Sequence, residues 1–148
     1  MRRLIIAAAT WLVCLLVLLS PAGCEDRSYR EIGAQINALT KPGGGPVADA
    51  IAQLARMGRR TLPQIEIALH TASPRGKSNL IRALDAVGDP EAVAIVQHFA
   101  VYDASAEVRT ACEELLQRWA AAGDRRAGPA RQALARGSEK RAKGEGPE

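Results

Sequence analysis

Between residues 46 and 122 the apolar positions recur every three or four residues, the spacing that gathers side chains on one face of a helix. Val47, Ile51, Leu54 and Ala55 share one face, and Leu62, Ile65, Ala68 and Leu69 share the next. Leu80, Leu84 and Val87 form a third stripe. Ala92, Val93, Val96, Phe99 and Ala100 form a fourth, and Val108, Cys112, Leu115 and Trp119 a fifth. The stops between stripes are regular. Gly45-Pro46, Ser73-Pro74 and Asp89-Pro90 open helices, and Thr61 stands two residues before Pro63. Proline suits a first helical turn, where its missing N–H is no loss, and Ser, Thr or Asp before it caps the free donors. Gly58, Gly88 and Gly123 follow the stripes where a left-handed residue is wanted.

The predicted helices echo one another. Residues 50–58 (AIAQLARMG) lie over 80–88 (LIRALDAVG) at an offset of 30, and moving on 32 brings Leu80, Leu84 and Lys77 over Cys112, Leu116 and Arg109. After Gly58 and Gly88 a second helix follows, Pro63 to Thr71 and Pro90 to Val101. A helix pair recurring at this period cannot bury its apolar edge alone, so neighbouring pairs must stack. A shorter stripe, Tyr29, Ile32, Ile36 and Leu39, predicts a helix from Ser28 to Thr40 that caps the first pair. Lys41 to Gly45 then reads as a flexible joint. Ala130, Ala133 and Leu134 predict a last helix over 127–136, and Gly137 to Glu148, with no large apolar residue, is expected to be disordered.

These pairs resemble the HEAT-like repeats, in particular the short type also found in phycobilisome lyases. The stretch Asp103-Ala104-Ser105-Ala106-Glu107-Val108-Arg109-Thr110-Ala111-Cys112 is similar to that family's aspartate followed by Val-Arg and small residues. Gly88-Asp89-Pro90-Glu91-Ala92-Val93 is similar to its turn into the second helix. The resemblance implies an all-α fold: a short right-handed α-solenoid of about two and a half helix pairs. It also implies an inter-repeat ladder made by Asp103 and Arg109, with Lys77 as a partial substitute. It further implies a concave face lined by second helices. Aligning Pro63 with Pro90 puts His70 over Gln97 and Gln64 over Glu91, four polar residues pointing away from the stripes.

Ahead of this body stands a different kind of segment. Met1-Arg2-Arg3 is followed by an almost unbroken apolar run from Leu4 to Leu19, and then by Ser20-Pro21-Ala22-Gly23-Cys24. A cationic start, an apolar core shorter than the roughly 20 residues of a spanning helix, and small residues at a cut site make a cleavable export signal. The end of the segment resembles the bacterial lipoprotein signal, matched by Ala22, Gly23 and Cys24, with Pro21 where leucine is usual. That resemblance implies lipid on Cys24 and a chain tethered to a bacterial membrane on its periplasmic or surface side. Cleavage after Ala22 and plain secretion is the alternative. The expected divisions are 1–23 signal, 24–45 cap helix and linker, 46–136 repeat domain and 137–148 tail.

Composition narrows the function classes. Aromatics are 3% and alanine and leucine carry the apolar load, which favours helix over sheet. The net charge of +4 is uneven: from Cys24 to Gly123 there are 11 Lys/Arg against 12 Asp/Glu, and from Asp124 onward 7 against 4. No basic stripe with interleaved aromatics is present, so nucleic acid is not an expected partner. Of the three cysteines, Cys14 lies in the signal core and Cys112 on an apolar face, where it reads as a small core residue. A disulfide between Cys24 and Cys112 is the alternative if Cys24 carries no lipid.

Catalytic patterns do not assemble. Gly76-Lys77-Ser78 is the end of a phosphate loop in form only, since Thr71 stands where that motif needs its first glycine. His70 and His98 are the only histidines, without zinc-ligand spacing around them, and read as surface residues. Glu113-Glu114 lies opposite an apolar stripe and reads as a solvated face. No cofactor or metal is expected. The expectation is a monomeric, non-catalytic module that binds a protein outside the cytoplasm through Gln64, His70, Glu91 and Gln97 and meets the membrane through Cys24. Two alternatives stand: a HEAT-like lyase or small-molecule binder, and a structural lipoprotein that contacts the envelope through its basic tail.

Overall fold

The computed structural model describes residues 22–43 and 45–144, with side chains from Arg27 onward. The expected signal up to Pro21, the Cys24 side chain and residues 145–148 lie outside this. Among the described residues there are seven α-helices and no strand: α1 Ala22–Thr40, α2 Val47–Met57, α3 Leu62–Thr71, α4 Pro74–Val87, α5 Ala92–Tyr102, α6 Ala106–Ala121 and α7 Ala127–Ala142. A 3-10 turn, Gly58–Thr61, joins α2 to α3. The protein is all-α, as the stripes predict. None of these helices is long and apolar enough to cross a membrane.

Local chemistry explains most boundaries. The Ser73 hydroxyl accepts from the Gly76 N–H at 3.3 Å and opens α4; Ser105 does the same for Val108 at 3.4 Å and opens α6. Gly88 closes α4 at φ 68°, ψ 14°, the left-handed corner where a Cβ would strain. Thr61 does not cap α3. Its buried hydroxyl donates to the Gly58 carbonyl at 2.8 Å and holds the 3-10 turn closed.

The chain divides into two units, one ending at Glu31 and the other beginning at Ile32. In the first, Tyr29 is 61% exposed, so the α1 stripe begins at Ile32 rather than at Tyr29. In the second, α2 packs on α4 and α4 on α6, while α3 packs on α4, α5 on α6, and α7 on both α5 and α6. The buried core runs through all of these: Leu54, Ile65, Leu69, Leu80, Leu84, Val96, Leu115 and Trp119 are fully enclosed.

Three sequence features find structural duties. Gly76 is buried where α4 meets the end of α1, and a Cβ there would stand 3.3 Å from the Thr40 Cα. The Ser78 hydroxyl donates to the Pro74 carbonyl at 3.1 Å, and Lys77 is engaged elsewhere, so Gly76-Lys77-Ser78 is a packing element. The last helix corrects an expectation. It continues past Arg136 to Ala142, so 137–142 is helical rather than disordered. Gly137 is buried where α7 lies on α5, and the place where a Cβ would stand is 3.7 Å from a Val101 methyl, an ordinary van der Waals distance.

Candidate functional site

The second helices present an open surface. On α3 the exposed residues Pro63, Glu66, Ile67 and His70 fall at i, i+3, i+4 and i+7; on α5 they are Ala94, His98 and Tyr102. Ile67 is 64% exposed and Tyr102 40%. Between the helices lies a groove of about 960 Å³. Leu62, Pro63, Ala94 and Ile95 give it an apolar floor; Arg59, Arg60, Glu66, Glu91 and His98 line its polar part. Arg59 forms an ion pair with Glu91 across it.

A row of rings continues the groove. His70 meets His98 with ring centroids 5.8 Å apart and Phe99 at 5.0 Å; His98 meets Phe99 at 5.3 Å and Tyr102 at 5.2 Å. Lys140 of α7 donates to the Tyr102 hydroxyl at 2.7 Å and lies 5.0 Å from the ring centre. Lys77 lies 5.9 Å from the centre of the Phe99 ring.

The four residues expected on one polar face are divided by the structure. His70 and Glu91 belong to the groove side. Gln97 is turned to α7, donating to the Ala133 carbonyl at 3.3 Å and accepting from Arg136 at 3.1 Å. Gln64 is half-buried and faces Gly33 of α1, where its oxygen would stand 3.8 Å from an added Cβ. The cause is helix phase. Pro63 is the second residue of α3, whereas Pro90 precedes α5 by two, so aligning the prolines misaligns the faces. His98, read as a surface residue, is exposed, while Ile67 and Tyr102 were not singled out. The signal that finds them is the exposed spacing of each helix taken separately.

The ladder differs as well. Asp103, expected in the ladder between repeats, accepts from Lys77 Nζ, the residue expected there as a partial substitute, at 2.5 Å through one carboxylate oxygen and from the Ser105 N–H at 2.9 Å through the other. Arg109 donates to the backbone carbonyls of Asp103 at 2.7 Å and Ala104 at 3.1 Å, so it braces its own loop. The charge link between α4 and the α5–α6 loop is therefore Lys77–Asp103. A second link is Asp85, which accepts from the Trp119 indole at 2.7 Å and from Arg118 at 3.2 Å, with Arg126 5.2 Å from the Trp119 ring centre.

Burial pushes the Cys112 thiol up to about 12, with the Asp103 charge adding to the effect, so it carries no reactive thiolate at neutral pH. The Arg126 side chain, by hydrogen bonding, holds the exposed Asp124 carboxyl below its ordinary value. Among the described residues no three His, Cys, Asp or Glu are grouped to hold a metal ion. No buried side-chain polar atom among them lacks a partner. What the groove offers chemically is an apolar floor, exposed aliphatic and aromatic flanks and a few rim charges, which suits non-covalent docking of a side chain or short segment.

Comparison with protein-family models, curated proteins and solved structures gave no match to this chain.

Proposed function

We propose that this chain is an exported interaction module, a short α-solenoid of HEAT-like helix pairs tethered by lipid on Cys24, which docks a segment of a partner protein between α3 and α5. The observation that carries the docking reading is the groove itself, with Ile67 and Tyr102 exposed on the two helices that border it. A cleft with an apolar floor and a few polar groups at its rim is the usual form of a binding site, and the two exposed side chains add apolar surface beside it. The stacked-pair reading is supported by the order of packing, in which α2, α4 and α6 succeed one another and α7 follows α5 in a second row. The tether is supported by the sequence before Glu25 alone, and its effect would be to raise the local concentration toward partners on the same membrane.

The envelope-binding alternative is less favoured, because cations of α7 are already engaged. Arg136 is bonded to Gln97, Lys140 to Tyr102 and Arg141 to Glu113.

The test is site-specific photo-crosslinking in the native envelope. A photoreactive residue at Ile67 or Ala94 is expected to trap one partner at a mapped segment, and one at exposed Arg82 or Glu114 is not. Equal trapping at all four positions, or none at the groove, overturns the docking reading. Cys24→Ser is expected to free the chain from the membrane fraction; retention overturns the tether alone.

A further inference from the structure

We propose that His70 and His98 form a two-imidazole site for a divalent transition metal ion of the zinc, nickel and copper class, bridging α3 and α5. The residues are 28 apart in sequence, and each reads by itself as an isolated surface histidine. The fold brings their rings to 5.8 Å between centroids. Two imidazoles bound through nitrogen to one metal at about 2.0–2.1 Å place their ring centres roughly 5–6 Å apart, so the pair stands at chelating separation.

Both rings are exposed, so an ion reaches them from solvent and they can turn to present nitrogen. Phe99 packs against both, with ring centroids at 5.0 and 5.3 Å. A carboxylate is near: Glu66 precedes His70 by one helical turn and lines the same groove as His98. Since no three such groups are clustered among the described residues as the side chains stand, the chain supplies two ligands, water completes the shell, and Glu66 joins only by rotating. The cations facing the site are Arg59, held by Glu91; Arg60; Lys77, held by Asp103; and Lys140, on Tyr102. Imidazole suits zinc, copper and nickel, and the usual order of affinity puts copper first. A bound ion would fasten α3 to α5 and narrow the groove between them. This assignment does not depend on a protein partner.

The test uses the untagged mature chain, titrated calorimetrically with Ni2+ and then Zn2+ chloride, with His70→Gln, His98→Gln, the double variant and Glu66→Gln beside it. One ion per chain is expected. Each single histidine variant should lose at least the roughly tenfold that removing a mere outer partner of a metal site costs. The double variant should be little worse than either single, because half a chelate is no chelate. Glu66→Gln should weaken binding by a smaller factor. Saturating Ni2+ should raise the unfolding temperature of the parent chain and leave that of His70→Gln unmoved, while circular dichroism shows both folded. Overturning results are two equivalent weak ions per chain, losses that add independently, or binding that survives both substitutions. In any of these cases the crosslinking outcome above is unaffected.

Discussion

Replacing Lys77 by methionine keeps the aliphatic stem and removes the charge that faces Asp103. The structure sets the size of the effect. Nζ stands 2.5 Å from the carboxylate, with Lys77 15% exposed and Asp103 only 2%. At an effective dielectric near 20 the bare attraction at that distance is about 7 kcal/mol, but removing two ions from water costs several kcal/mol each, so the intact pair contributes little net. Losing one partner is another matter. Without Lys77 the buried carboxylate keeps only the Ser105 N–H, and an uncompensated buried charge costs about 3–5 kcal/mol. The converse change, Asp103→Asn, is milder, about 1–2 kcal/mol. The amide oxygen still accepts from Ser105, and the more exposed ammonium can reach water along its own stem. The double variant carries neither charge and keeps the acceptor, so it should return to within about 1 kcal/mol of the parent. In urea, with a slope of about 2 kcal/mol per molar, Lys77→Met should lower the midpoint by about 1.5–2.5 M at unchanged slope. The four-member cycle is read by circular dichroism at 222 nm. A Lys77→Met cost below about 1 kcal/mol, or a double variant equal to the sum of the singles, would refute the account of this pair as a buried, coupled link.

Two further outcomes follow from the packing. In a chain beginning at Glu25, where Cys112 is the one cysteine, the thiol should ignore a disulfide reagent at pH 8 while folded and react at once in denaturant; the raised value near 12 requires it. Because the folded thiol resists ionisation, its contribution to stability is whole below the unfolded value and is lost as pH climbs from there toward 12. Gly137→Ala should stabilise by about 0.5–1 kcal/mol, since the added methyl meets Val101 at an ordinary 3.7 Å and the helix loses a flexible residue; thermal melting reads the gain, and a fall in melting temperature would mean α7 cannot give.

The helical body was legible because burial leaves a period in the sequence. Leu54, Ile65, Leu69, Leu80, Leu84, Val96, Val108, Cys112, Leu115 and Trp119 all lie on stripes visible without coordinates, and all are buried. The end of α7 was illegible because its burial uses almost no apolar side chain. Ala127, Ala130, Ala133 and Gly137 are hidden by close approach, and the turn beyond them is held by Lys140 on Tyr102 and Arg141 on Glu113. Glycine followed by serine and charge reads as a stop when only the local chain is weighed. The site was half legible for a related reason. Which residues of a helix face water can be inferred from its own stripe, but which of them meet across two helices depends on their relative phase. That phase separated Gln97 from His70 and brought His98 to it.

The ion pair and the groove are one construction. Lys77 reaches from α4, pairs with Asp103 at the start of the α5–α6 loop, and lies against the Phe99 ring on the way. Phe99 in turn packs on both histidines. α7 takes the other flank of α5 through Gln97 and Tyr102, so α5 is held from both sides and its open face is the one turned to α3. The surface proposed to bind is thus exposed by what its neighbours occupy: one flank of α5 is used by α7, its inner edge by the core, and the Phe99 ring behind the histidines lies beside the half-buried Lys77 one helix away. A change in that lysine should therefore reach the groove without touching it, and the two histidines would register it first.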